Sequence, residues 1–167
     1  ESYYKKLGFQ LTNKDFKELS SSFIDLYKSK MFLPSLKSGV MPIIKYLFNR
    51  GCVQLVVSAQ EQRLLLRSVK HYGLESFFDG VFGLDNNYAN SKVSIVKKHV
   101  GPLVASNTKI LFVGDTLHDC EVARSIGAPC CLVSWGHYTE ARLLGLDCYI
   151  AKSPTLLFNY IKSFINN

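Results

Sequence analysis

Five short apolar runs, each followed by a stretch of helical periodicity, constrain this chain more than any other feature of its 167 residues. The runs cover residues 52–57, 80–82, 109–113, 130–133 and 148–150, and they are rich in Val, Ile, Leu, Phe and Cys. Continuous apolar runs of this length read as strands buried on both faces, as in parallel sheets. Parallel neighbours need a crossover helix, and the spacing predicts helices near 60–72, 91–100, 117–126 and 139–144. Strands and helices alternating at this pace form right-handed βαβ units, so the expected class is α/β, a doubly wound parallel sheet.

The first third is helical. Thr12 or Asn13 can cap a helix over about 14–30, with Phe16, Leu19, Phe23, Leu26 and Tyr27 at helical spacing. Pro34 breaks it, ahead of the alternating pattern. A second helix over about 39–50 carries Val40, Ile43, Ile44 and Leu47 on one stripe. The last helix starts with Ser153 as cap and Pro154 at its first position, and turns Leu157, Tyr160, Ile161 and Phe164 inward. Residues 1–8 read like the tail of a helix ending at Gly8, so something upstream is expected to have been lost.

In doubly wound sheets ligands bind beyond the carboxyl ends of the strands. Three places at that edge carry chemistry: Ser58-Ala59-Gln60, Ser91-Lys92, and Gly114-Asp115-Thr116-Leu117-His118-Asp119. A hydroxyl, an amine and two carboxylates at one edge make a site for a phosphoryl group and a divalent cation. The hydroxyl donates to a phosphate oxygen, the lysine neutralises charge, and a carboxylate holds Mg2+, which takes one or two carboxylates plus water and substrate oxygens. The helix after Ser58 can add its N-terminal N–H groups. Each residue also has a plainer role: Ser58 and Asp115 as helix caps, Lys92 as solvated surface, Asp119 as a partner of the helix dipole. No Gly-rich nucleotide-binding motif accompanies them.

The segments Leu55-Val56-Val57-Ser58, Lys92, and Leu111 through Ala128 resemble the second, third and fourth motifs of the haloacid dehalogenase superfamily, closest to its phosphoglycolate-phosphatase-like branch. Phe78-Asp79-Gly80, Ser134-Trp135-Gly136-His137 and Asp147-Cys148-Tyr149-Ile150 are similar landmarks. The resemblance implies a Rossmann-like core and a Mg2+-dependent phosphatase working through an aspartyl-phosphate. Ser58 and Ala59 would bind the phosphoryl group, and Lys92 would stabilise its charge. Asp115 would ligate Mg2+, with Asp119 in or just outside the shell or orienting the lysine. It also implies that residues 1–34 are the remnant of a small helical cap, ahead of an α/β core of 35–167.

One motif of that family is absent. Its first strand ends in Asp-x-Asp and supplies the nucleophile, and no Asp-x-Asp occurs here. That strand would lie between the runs at 52–57 and 109–113, and without it buried backbone groups lose partners at about 1–3 kcal/mol each. The chain is therefore expected to be a clipped piece or to lack that strand, to be inactive alone, and to be open to strand exchange. A non-catalytic phosphatase-like binding module is the alternative.

The remaining features are permissive. A formal charge of +7 suits anionic ligands, but the lysines are scattered and there is no arginine-rich stripe, so a small phosphorylated metabolite is expected rather than nucleic acid. No apolar run reaches membrane-spanning length, and the five cysteines, without metal spacing, are expected as buried thiols of a cytoplasmic protein.

Overall fold

The computed structural model describes residues 13–84, 92–106 and 108–167. The chain divides into two compact units, Glu1–Ser35 and Leu36–Asn167. In the first, helix α1 (Asn13–Lys30) leaves Phe23, Leu26 and Tyr27 exposed. The expected cap at Thr12 and the helix tail ending at Gly8 lie outside the described residues.

The second unit runs α2 (Val40–Asn49), β1 (Leu55–Glu61), α3 (Gln62–His71), a 3-10 turn (Glu75–Phe77), β2 (Gly80–Leu84), α4 (Lys92–His99) and α5 (Gly101–Ala105). It continues with β3 (Phe112–Gly114), α6 (Leu117–Arg124), β4 (Cys130–Val133), α7 (Glu140–Leu143), β5 (Tyr149–Ala151) and α8 (Pro154–Asn166). The α/β class is as expected. After α4 the chain turns at Gly101-Pro102 into the short α5, with proline in the first turn, where its missing N–H costs nothing. Ser153 caps α8 as expected, accepting from the Leu156 N–H at 3.2 Å.

The strands form two parallel sheets. β1 pairs with β2, and β3, β4 and β5 pair in that order. Helices cover both faces, with residues alternating at the strand period. Ile110 and Phe112 pack with Leu55 and Val57 against Val96, Val100 and Val122 of the α4/α6 layer. Leu111 and Val133 pack on the other side with Ile43, Leu157 and Ile161 of α2 and α8. Beneath β4, Leu132 and Leu143 are fully buried with Cys120, each such burial stabilising by about 1.5–3 kcal/mol.

Between β1 and β3 lies an apolar trough of about 560 Å3, lined by residues including Leu55, Val57, Ile110, Phe112 and Val113. One helical layer thus supports two sheets whose facing edges make no ladder among the described residues. At the other end of β1, the buried Gln54 is pinned: its N–H donates to Asp79 at 2.8 Å, and its amide nitrogen donates to the carbonyls of Ile44 and Phe77. Asp79 therefore serves the β1–β2 junction.

All five cysteines are free thiols. Burial pushes Cys130 up to about 11, and Cys131 and Cys148 up to about 12, which keeps these three protonated and inert at neutral pH.

An open row between β1 and β3 has a measurable signature. Amides of β4, paired on both sides, should resist hydrogen exchange longer than those of β1 and β3. Equal protection across the three strands would count against the trough.

Candidate functional site

Lys92 opens α4 and reaches Asp119 in the first turn of α6, with Nζ 2.5 Å from Oδ1. Both side chains are nearly dry, 15% and 5% exposed. The Lys92 ammonium also lies 5.4 Å from the centre of the Phe112 ring, close enough for a cation–π contact.

The second oxygen of Asp119 is fully used. Oδ2 accepts from the Asp115 N–H at 3.0 Å, the Thr116 N–H at 3.0 Å and the Thr116 hydroxyl at 2.8 Å. Thr116 is the N-cap of α6, so this is the side-chain-to-cap half of a capping box, with aspartate in the glutamate's place. The close approach explains Gly114. A Cβ there would collide with Cβ and Cγ of Asp119 and sit 2.6 Å from Oδ2. Burial alone would raise the Asp119 pKa, but the Lys92 ammonium, the Thr116 hydroxyl and the Asp115 N–H outweigh it and hold the carboxyl below its ordinary 3.8.

Asp115 follows β3 directly, as its sequence position predicts. Its carboxylate bonds to the loop after β4. Oδ2 accepts from the His137 N–H and from His137 Nδ1, each at 2.7 Å. A Cβ on Gly136 would collide with the Asp115 side chain, so only glycine lets the backbone pass there. Oδ1 has no hydrogen-bond partner among the described residues. Gly136 and His137 stood in the sequence only as part of a landmark, and nothing local to them signals contact with a residue more than twenty positions earlier. Thr116 was legible only as a neighbour of Asp115.

Ser58 and Ala59 are placed differently from expectation. β1 runs on to Glu61, so both lie inside the strand, where its pairing with β2 is irregular between Val57 and Glu61. The Ser58 hydroxyl accepts from the Gln60 N–H at 3.1 Å and makes no hydrogen bond to Lys92, Asp115 or Asp119 among the described residues. The free helix N-terminus expected after Ser58 is also corrected. α3 starts at Gln62, and the Glu61 carboxylate already accepts from the N–H groups of Arg63 and Leu64. Ser91 lies outside the described residues.

Among the described residues no cluster of three or more His, Cys, Asp or Glu side chains is placed to hold a metal ion. Among the described residues, Asp115 Oδ1 is a carboxylate oxygen of this site without a hydrogen-bond partner. That suits Mg2+, which binds through one or two carboxylates with water and substrate oxygens, and not a cation that needs an all-protein cage. No helix among the described residues is long and apolar enough to cross a membrane.

Asp119 gives two checks. Asp119→Ala leaves Lys92 buried without a counterion and should cost about 3–5 kcal/mol. A carboxyl held below its unfolded pKa adds stability that is complete above about pH 3.8 and lost as pH falls through the lowered value. The melting temperature of Asp119→Asn should therefore fall less steeply below pH 4 than that of the unaltered chain. Parallel acid profiles would remove the ion pair from the account.

Comparisons with known proteins agree with the fold. A phosphoglycolate phosphatase from Caulobacter vibrioides is 27% identical over 156 residues, 90% of this chain and 65% of that protein. The tyrosine-protein kinase PtkA of Mycobacterium tuberculosis is 26% identical over 104 residues, 62% of this chain and 36% of that protein. This chain thus spans about one third to two thirds of their length. A predicted phosphatase from Clostridium acetobutylicum superposes with a TM-score of 0.79 at 18% identity, over 97% of this chain and 76% of that one. Residues 1–133 match the haloacid dehalogenase-like hydrolases, and the chain belongs to that family.

Proposed function

We propose that this chain is the lysine- and cation-bearing core of a Mg2+-dependent phosphomonoester hydrolase acting on a small phosphorylated metabolite. The observation that carries the reading is the linked set Lys92–Asp119–Asp115, which places a dry, paired ammonium and a half-used carboxylate at the end of β3. The Caulobacter relative, named a phosphoglycolate phosphatase, supports the reaction class.

Roles follow from the contacts. Asp119 has no oxygen to spare, which favours it as the group that orients Lys92 rather than as a ligand. Lys92 would neutralise charge on the transferring phosphoryl group. Asp115 would hold Mg2+ through Oδ1, and the ion, when bound, supplies further positive charge for phosphoryl oxygens. Ser58 would donate to a phosphate oxygen, with Ala59 beside it, once the edge of β1 is drawn in. The nucleophile would be an aspartate that attacks phosphorus and displaces the alcohol; water then hydrolyses the aspartyl-phosphate to regenerate the carboxylate.

This sequence has no Asp-x-Asp to supply that aspartate. An apolar strand seated in the trough, parallel to β1 and β3, would end level with Val57 and Val113, beside Ser58 and Asp115. Residues 1–167 alone are accordingly proposed to be inactive, and exchange of such a strand between chains is one way to fill the row. The first unit would be the helical cap remnant that helps select substrate, and a cytoplasmic setting suits the five free thiols. The missing Asp-x-Asp also keeps a second reading, a phosphatase-like module that binds without turnover.

The test is hydrolysis of p-nitrophenyl phosphate. Residues 1–167 should be silent. The same chain joined to an apolar strand ending in Asp-x-Asp should gain activity that chelation abolishes and that Asp115→Asn lowers by roughly 100-fold or more. Turnover by residues 1–167 alone, or indifference to Mg2+ removal, defeats the proposal. Persistent inactivity of the joined chain would move the assignment to the binding module.

A further inference from the structure

The loop after β4 holds one oxygen of Asp115 from two directions. Ser134 donates its N–H to the Ala151 carbonyl at 3.2 Å, Gly136 lets the backbone pass against the Asp115 side chain, and His137 then presents both its N–H and Nδ1 to Oδ2. A carboxylate only accepts, so the Nδ1 facing it carries the proton. The His137 side chain is 83% exposed, and Asp115 is its hydrogen-bond partner among the described residues. Burial cannot be what this imidazole contributes. What it does contribute is direction: rotating the Asp115 carboxyl would break two hydrogen bonds at once, so Oδ1 stays pointed where it is.

We propose that His137 is a positioning residue for a divalent cation, fixing Asp115 through Oδ2 so that Oδ1 is presented for coordination. The inference rests on the Mg2+ reading of Asp115 given above and adds a residue from a different strand end. Partners of this kind behind a ligating carboxylate typically change metal affinity by about 10–100-fold. The backbone N–H survives any substitution at 137 except proline, so the effect of losing the imidazole should fall toward the lower end.

The experiment measures Mn2+ binding to residues 1–167 by the loss of the free-ion electron paramagnetic resonance signal, with no turnover required. His137→Ala should weaken Mn2+ binding by roughly 10-fold. His137→Asn, which keeps a donor near the same place, should recover most of that loss. The melting temperature should stay unchanged in both, because the ring is exposed. Asp115→Asn should weaken binding more than either. Equal affinity in His137→Ala and the unaltered chain overturns the positioning role while leaving the cation reading intact. Tighter binding in His137→Ala overturns it too, making the imidazole a competitor for the carboxylate. Absence of any Asp115-dependent binding in the unaltered chain removes both this inference and the Mg2+ reading beneath it.

Discussion

One carboxylate organises this protein's polar edge. Asp119 joins the start of α4 through Lys92, the exit of β3 through the Asp115 N–H, and the cap of α6 through Thr116. In so dry a place a charge cannot be left unmatched, and each of its partners is a donor or a cation. The start of α4 is thereby fixed to the turn between β3 and α6, through a residue 27 positions on from Lys92, within hydrogen-bond tolerance. The arrangement also imposes glycine at 114, since any side chain would enter the space that Asp119 occupies. With Asp119 and Lys92 spent on each other, the negative charge still available at the end of β3 is that of Asp115.

The rest of the core is held by a less specific force. β1 and β3 share the apolar layer of Val96, Val100 and Val122 but no ladder of their own. Hydrophobic packing is non-directional, and it fixes neither the register nor the spacing of two edges as backbone hydrogen bonds do. This accounts for the division within the site. Lys92, Asp115 and Asp119 are linked by charge-assisted hydrogen bonds, whereas the Ser58 hydroxyl, across the trough, bonds within its own strand among the described residues. The division of the site thus follows the division of the sheets.

That contrast also explains what was legible in the sequence. The alternation of apolar runs and amphipathic helices gave the α/β class, because buried strands and their crossovers each leave a local pattern. The positions of Asp115 and Lys92 were legible for a similar reason: one follows a strand and the other opens a helix, and both boundaries are local. The end of β1 was misplaced because Ser58, Gln60 and Glu61 interrupt the apolar run, and the extended form at Glu61 comes from pairing with Leu84 of β2. Glu61 then takes the amides that a phosphate was expected to use. The two-sheet arrangement had no local trace either, since which distant strands pair is not written in the periodicity of any one segment. His137 was invisible as a partner of Asp115, since a contact between two loop ends has no periodicity to announce it.

Positioning an exposed side chain accurately requires that its backbone be anchored elsewhere, and the loop after β4 meets that requirement. Trp135, the chain's single tryptophan, packs against the cluster built on Ile43, Cys131, Ala151, Leu157 and Ile161. Ser134 is tied to the carbonyl of Ala151 on the neighbouring strand. The apolar core therefore grips the loop immediately before Gly136, and the two residues that follow project from a fixed base. A histidine on a free loop would lose rotamer and backbone entropy each time it met Asp115. Here the backbone part of that loss was met when the partly buried Trp135 packed against that cluster, which is why an exposed imidazole can act as a directional donor at the edge of the sheet.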